Sequence, residues 1–222
     1  MAVIEGGVSG LLQEVGLGAA VPAHVTLKPL PHGALGHYRV AVRFSLIAAQ
    51  AANSRLFELR NTATNLIVLT RLVIKWAPTA AHTAAILDSL DVFRLTGFTA
   101  VDTTNTVTPV PSVKRTAGMA AAPGGAAIRN VTIAGAAAGM TGGTLTKDAN
   151  AISIIPQWLL AAQPTAGPAP QVIYDVNDPN VIDHPFVFAQ NEGFEIENRV
   201  LLGAAAGSEV VVECDYAEVT LF

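Results

Sequence analysis

Strict alternation of apolar with polar or small residues is the feature that most limits how this chain can fold. It runs from His37 to Leu46, and a row of apolar residues at every second position recurs within Ser208–Leu221. A period of two places every second side chain on the same face of a strand, so one face can be buried. The apolar positions of the two runs are Tyr38, Val40, Val42, Phe44 and Leu46, and Val210, Val212, Cys214 and Tyr216. Both runs therefore predict half-buried β-strands.

Further strand-like segments are separated by turn residues. They lie at 55–60, 65–76, 90–98, 152–160, 171–176, 185–190 and 193–200. About eight strands are predicted in all, and no segment has the pattern of a long amphipathic helix. Many short strands with turn signals between them are typical of sandwiches and jelly rolls. The predicted fold is all-β: an antiparallel β-sandwich, jelly-roll-like, with an extended N-terminal arm.

Two of these segments give more detailed expectations. In 65–76, the period of two puts Leu66 and Val68 on the same face as Leu72, and Pro78 is expected to end the strand. In 152–160, Trp158 is expected to anchor the core.

The composition divides the chain into an arm and one domain. Residues 1–36 contain scattered Gly and Pro without periodicity, which predicts an extended N-terminal arm. Residues 37–222 form a single predicted β-sandwich domain. Within it, residues at about 99–151 are rich in Ala, Gly and Thr and bury little area, so they predict a long excursion of loops and short strands.

Charge and length exclude several classes of protein. The 222 residues carry a net charge of −4, and 14% are charged, where about 25% is usual. The 51% hydrophobic content argues against disorder, and the acidic balance argues against a nucleic-acid binder. No cationic start precedes an apolar run, and no apolar stretch is long enough to span a membrane. We therefore expect a soluble, non-secreted protein without nucleic-acid or membrane partners.

One acidic loop is a candidate calcium site. Asp175, Asp178 and Asp183 offer oxygen ligands at close spacing, although the loop lacks the Gly and terminal Glu of an EF-hand. The same residue types build ordinary turns, which is the competing interpretation.

No other pattern predicts catalysis, a cofactor or a metal. Glu195 and Glu197 could act as paired carboxylates on glycosides, but they lie in the outward row of their strand, which predicts a solvated face or subunit contacts. Cys214 lies in an apolar row and is expected to be a buried small side chain. The five His have no metal-binding spacing. The basic residues Arg39, Arg43, Arg71 and Lys75 are expected on outer faces, solvated or paired with acidic neighbours in an assembly. We therefore do not expect an enzyme.

Long strings along the chain resemble a family of tailed-bacteriophage virion structural proteins. They include AANSRLFELRNTATNLIVLTRLVIKW, TAAHTAAILDSLDVFRLTGFTAVDTTNTVTP and HPFVFAQNEGFEIENRVLLGAAAG, and the similarity covers nearly the whole chain. The resemblance implies a place in a virion, assembled from protein made in the host bacterial cytoplasm, with capsid decoration (cement) or a related head or tail accessory role. It carries no catalytic residues.

Three functional hypotheses follow. The leading one is a decoration protein that forms a homo-oligomer, expected to be a trimer, on the major capsid protein shell, because low charge suits extensive buried contact. The alternative is a receptor- or glycan-binding module of a phage fibre or spike, which would need clustered exposed aromatic residues. Against it, Tyr38, Trp76 and Tyr216 fall in apparent core rows. The third is an enzyme of sandwich fold, and the sequence contains no pattern of catalytic or metal-binding residues that would support it.

Overall fold

A computed structural model describes most of the chain. The described residues are 2–6, 11–15, 34–80, 84–109, 113–114, 124–160, 171–175, 185–203 and 207–220. The chain divides into two compact units, Met1–Gly33 and Ala34–Phe222.

The first unit contains two short strands, β1 (Ala2–Gly6) and β2 (Leu11–Val15). They pair antiparallel, with Ala2 opposite Val15 and Gly6 opposite Leu11. The sequence predicts an arm over 1–36 and does not predict this strand pair.

One sheet of the second unit is built around the long strands with clear alternation. Its order is β11-β5-β14-β3-β8, with β12 also paired to β5. The strands are β3 (Ala34–Ile47), β5 (Leu66–Ala80), β8 (Val113–Lys114), β11 (Gln171–Asp175), β12 (Val187–Phe188) and β14 (Gly207–Val219). All its pairings are antiparallel.

The other sheet has the order β10-β6-β13-β4-β9-β7, again with antiparallel pairing throughout. Its strands are β4 (Ser54–Asn61), β6 (Ile86–Leu95), β7 (Thr106–Val107), β9 (Ala126–Val131), β10 (Ser153–Leu159) and β13 (Gly193–Asn198). The described residues contain no helix, and therefore none long and apolar enough to cross a membrane.

A single hydrophobic core lies between the sheets. Phe44 and Tyr216 contribute from the first sheet, and Phe57, Phe194 and Leu90 from the second. The Phe57 and Phe194 rings lie 5.6 Å apart between centroids, a separation that favours aromatic pairing. The predicted all-β, antiparallel, sandwich-like fold is confirmed.

Two expectations for β5 are wrong, and both errors come from irregular pairing. Asp215 lies opposite Arg71 and Tyr216 opposite Leu69, so Thr70 is an extra residue on β5. Such a bulge shifts the alternation by one residue. Consequently Ile67 and Leu69 enter the core cluster instead of Leu66 and Val68.

The strand also continues through Pro78 to Ala80. Pro78 lies beyond the stretch of β5 that pairs with β11, and its partner Ser208 adjoins a register shift. A missing N–H is tolerated at such a bulge.

The predicted excursion at about 99–151 is made of short strands and loops, and it packs on the domain itself. It adds β7 and β9 to one sheet and sends Ile128, Val131 and Met140 into the core. Isolated bridges join Arg55 to Met140 and Leu95 to Lys147. The excursion therefore covers part of the outer face of the second sheet.

Candidate functional site

Buried carboxyl groups cluster on that covered face of the second sheet. Glu195 on β13 lies directly opposite Glu58 on β4, and Glu197 lies opposite Arg55. The pleat places these residues on the face away from the core, as the sequence predicts. The expected solvated face is wrong, however, because Glu58, Glu195 and Glu197 are all buried. Their cover is the excursion.

Close backbone approach lets the excursion seal this face. Gly139 has a φ of 66°, and a Cβ there would lie 2.7 Å from the Arg55 carbonyl oxygen. Only glycine adopts this conformation at such a distance without strain. Gly135, four residues earlier, also has a positive φ, of 81°.

An Arg–Asp ion pair fixes one side of the cluster. Arg55 Nη2 lies 2.7 Å from Asp102 Oδ1, and Asp102 is fully buried. The Gly143 amide donates to the same oxygen at 2.6 Å, and the Asp102 amide donates to Glu58 Oε1 at 2.8 Å. The charge of Asp102 is thus balanced inside the chain.

A lysine fixes the other side. Lys147 Nζ lies 2.5 Å from Glu197 Oε2 and 4.3 Å above the centre of the Phe93 ring. A cation over an aromatic face is attracted by the ring quadrupole. The same Nζ is 3.9 Å from Glu195 Oε1, which is beyond hydrogen-bonding distance.

Glu195 is the least satisfied group of the cluster. It is completely buried, and no N–H or O–H donor of the described residues hydrogen-bonds to either of its carboxyl oxygens. Burial, followed by repulsion from Glu197, raises the pKa of Glu195 to about 8. At neutral pH this carboxyl is therefore predominantly protonated. Burial likewise raises the pKa of Glu58 to about 7.

An open cavity of about 430 Å³ lies above Glu195. Its lining includes the buried residues Met140, Glu195 and Glu197 and the partly exposed side chains of Arg55 and Lys147. Cavities of this volume accommodate small-molecule ligands. The lining therefore combines a protonated carboxyl group, Glu195, with the Glu197 carboxylate, which is already paired with Lys147.

The calcium candidate falls largely outside the described residues. Asp175 ends β11, its side chain is not described, and Asp178 and Asp183 lie outside the described ranges. Calcium binding there stays a prediction. In the rest of the described chain, no three His, Cys, Asp or Glu side chains form a metal-ion site.

The prediction for Cys214 is confirmed. Its side chain is fully buried in the core cluster, and burial raises the pKa of its thiol. A thiol in this environment stays protonated and is inert. Among the histidines, the described one, His37, has Nε2 3.2 Å from the Thr70 hydroxyl.

The basic residues of the first sheet pair within the chain. Arg39 makes a bidentate contact with Asp215, at 2.7 Å and 2.9 Å. Among the described side chains, this face also has the cross-strand ion pairs Arg43–Glu209, Arg71–Glu213 and Lys75–Glu213. The sequence analysis expected these basic residues to be solvated or to pair with acidic residues in an assembly. Their acidic partners are instead residues of β14 in the same chain.

Sequence reasoning did not single out Glu58, Asp102 or Lys147. Glu58 and Glu195 do share one signal, an acidic residue between apolar neighbours, in Phe57-Glu58-Leu59 and Phe194-Glu195-Ile196. The signal becomes informative only when a small-residue segment is known to cover the strand. No protein-family model matches the chain, and neither does any curated protein compared with it.

Proposed function

We propose that the chain is a non-enzymatic structural protein of a tailed-phage virion and that it decorates the capsid. In this role it forms a homo-oligomer, a trimer, on the major capsid protein shell and stabilises the head through contacts between subunits. The observation that carries the proposal is a row of exposed apolar side chains along strand β10. The row consists of Ile154, Pro156, Trp158 and Leu160, together with Leu87 on β6.

The row is made by a strand with both faces apolar. Ile155 and Leu159 point inward and are buried, whereas Ile154 and Trp158 are 60% and 58% exposed. Leu87, directly opposite Trp158, is 48% exposed. The exposure of Trp158 contradicts the expectation that it anchors the core. Contiguous exposed apolar side chains on a soluble domain mark a surface that another molecule covers.

The position of β10 favours packing onto its face. Among the described strands it is the last of its sheet, and residues 153–160 carry no charge to repel a partner. Pro156 has no N–H and so disfavours the addition of another strand at this edge. A neighbouring subunit packed on the apolar face would bury the row without extending the sheet.

The strand order supports the jelly-roll interpretation. With β7, β8, β9 and β12 set aside, the sheets have the orders β11-β5-β14-β3 and β10-β6-β13-β4. Along the chain, β3, β5, β11 and β14 belong to one sheet, and β4, β6, β10 and β13 to the other. This division of eight strands between two four-stranded sheets matches the two Greek keys of a jelly roll. The jelly roll is a fold used by viral capsid and lectin domains. Fold alone does not decide between those functions.

A receptor- or glycan-binding role on a fibre or spike is the second candidate, and the exposed Trp158 ring favours it. Aromatic rings can pack on sugars, but the predicted core positions of Tyr38, Trp76 and Tyr216 are confirmed by their burial. Those three rings are therefore not part of a binding surface. A glycan array that gives binding above background, lost in Trp158→Ala, would support this role over decoration.

Quantitative mass spectrometry of purified virions tests the proposed role. A decoration protein is expected at a copy number comparable to that of the major capsid protein in the same sample, which serves as the internal standard. A handful of copies per particle, or none, contradicts capsid decoration.

A further inference from the structure

We propose that the side chains of Lys147 and Glu197 condense to an intramolecular isopeptide bond, with Glu195 as the catalytic acid. The inference does not depend on the proposed virion role, and the reaction occurs once per chain. It rests on the geometry of three groups. Lys147 Nζ lies 2.5 Å from Glu197 Oε2 and 3.9 Å from Glu195 Oε1, and both glutamates are buried.

The backbone holds the lysine beside the two glutamates. Lys147 forms an antiparallel bridge with Leu95 of β6, and the amide of the next residue, Asp148, donates to the Arg94 carbonyl oxygen at 3.0 Å. The centre of the Phe93 ring lies 4.3 Å from Nζ and fixes the end of the side chain. Two reacting groups held in contact have an effective concentration of about 10⁵ M or more, so condensation needs no encounter in solution.

Glu195 supplies the acid that an ion pair alone lacks. Burial, followed by repulsion from Glu197, raises the pKa of Glu195 to about 8, and its carboxyl group hydrogen-bonds to Glu197. Glu195 is therefore a proton donor at neutral pH, placed against the group that is to be attacked. A neutral acid in this position polarises the Glu197 carbonyl and protonates the leaving oxygen.

The atoms of the reaction balance within the chain. One proton of the Lys147 ammonium passes to the Glu197 carboxylate, and burial favours this transfer because both charges disappear. The amine nitrogen then attacks Glu197 Cδ, so the N–Cδ bond forms and one Cδ–O bond breaks. Glu195 gives a proton to the leaving oxygen and regains one from the nitrogen. The oxygen thus departs as water with two protons, both supplied by the ammonium group, through the adjoining cavity.

A second Lys–Glu pair of the same chain is an internal control. Lys75 also contacts Glu213 closely, but the Glu213 side chain is 21% exposed, against 5% for Glu197. The neighbouring Asp215 carboxylate is held in a bidentate contact by Arg39 and so offers no proton. We therefore expect no bond at Lys75.

Mass spectrometry of the denatured full chain tests the proposal. The linked chain is expected to be lighter than its sequence by one water molecule. Lys147 is the only internal trypsin site of residues 130–199, and trypsin does not cleave after an acylated lysine. Those residues are therefore expected to stay one peptide, whose fragmentation places the link at Glu197. A chain of full mass overturns the proposal, and so does a water loss accompanied by normal cleavage after Lys147.

Three substitutions assign the roles of the groups. Lys147→Arg keeps the ion pair but cannot condense, so the full mass is expected, with an unchanged circular dichroism spectrum. Glu195→Gln keeps the shape and removes the acid, and it is expected to slow bond formation about 100-fold or more, which leaves the fresh protein unlinked. Lys75→Arg, the matched control, should remain lighter by one water molecule. A Glu195→Gln protein that is linked as completely as the native one overturns the role of Glu195.

Discussion

Among single residues, Glu195 carries the largest unmet polar requirement beside the cavity. Its neighbours Glu58 and Asp102 accept hydrogen bonds, whereas its own oxygens accept none from the described residues and have only the Lys147 ammonium at 3.9 Å. A carboxyl in this position is held mainly in its neutral form, because burial penalises the charged form. The protonation of Glu195 is therefore linked to folding.

The linkage predicts that stability falls as pH rises. The pKa of Glu195 rises from 4.5 to about 8 on folding, so between these values the folded state binds more protons than the unfolded state. The contribution of Glu195 protonation to the free energy of unfolding is complete below pH 4.5. It is lost as the pH passes through about 8, at up to about 1.4 kcal/mol per pH unit. Glu58 and Asp88, with pKa values raised to about 7 and about 6, act in the same direction.

Urea unfolding at about pH 5.5 and about pH 8.5 measures this effect. We expect a larger free energy of unfolding at the lower pH, and a smaller difference between the two in Glu195→Gln. Glu209→Gln, in which an exposed carboxylate is changed, should keep the native pH dependence. A native protein that is equally stable at both values, or more stable at the higher one, contradicts the protonated state of Glu195.

Residue types along the strand predicted the face of Glu195 but not its burial. Alternation with Phe194 and Ile196 placed it outward, and the structure agrees. What covers that face lies 48 to 93 positions away from Glu195 in the chain, at Lys147, Gly143 and Asp102. A local pattern contains no information about such distant contacts.

At the level of elements, the strands with the clearest alternation were predicted best. β3 and β14 follow the period of two, and their inward residues Phe44 and Cys214 are in the core. The bulge at Thr70 was not predicted, because Thr is common in regular strands and the extra residue is defined only by the pairing of its neighbours, Leu69 with Tyr216 and Arg71 with Asp215.

β10 illustrates a different limit. Its composition predicted apolar bulk correctly, yet a strand with both faces apolar has two possible interpretations: full burial in the domain, or burial of one face against a partner. The exposed Trp158 favours the second. The choice depends on the place of β10 at the sheet edge, which the sequence does not specify.

A matched pair of substitutions tests the role of this row. Ile154→Glu places a charge in the row, whereas Ile133→Glu makes the same change at an isoleucine of equal exposure, 61% against 60%, in the turn after β9. We expect Ile154→Glu to convert the oligomer to monomer in light scattering after size exclusion, with an unchanged circular dichroism spectrum. Ile133→Glu should remain oligomeric. Contradiction would come from an Ile154→Glu protein that assembles like the native one, or from a native protein that is monomeric.

For the whole molecule, the low charge has a specific distribution. The first sheet pairs basic residues with acidic residues of β14, and the second sheet buries Glu58, Glu195 and Glu197 beneath the excursion. The part of the surface formed by β10 carries no charge. Depletion of charge at one apolar patch is the composition expected of an interface core.

The central claim is that this chain coats a capsid through the β10 row, and a reconstruction of the virion by electron cryomicroscopy tests it most directly. We expect density for the sandwich on the outer surface of the head, with Ile154 and Trp158 buried at a contact between subunits. Density for the chain on the tail instead, or on the head with the β10 row facing solvent, would contradict the claim.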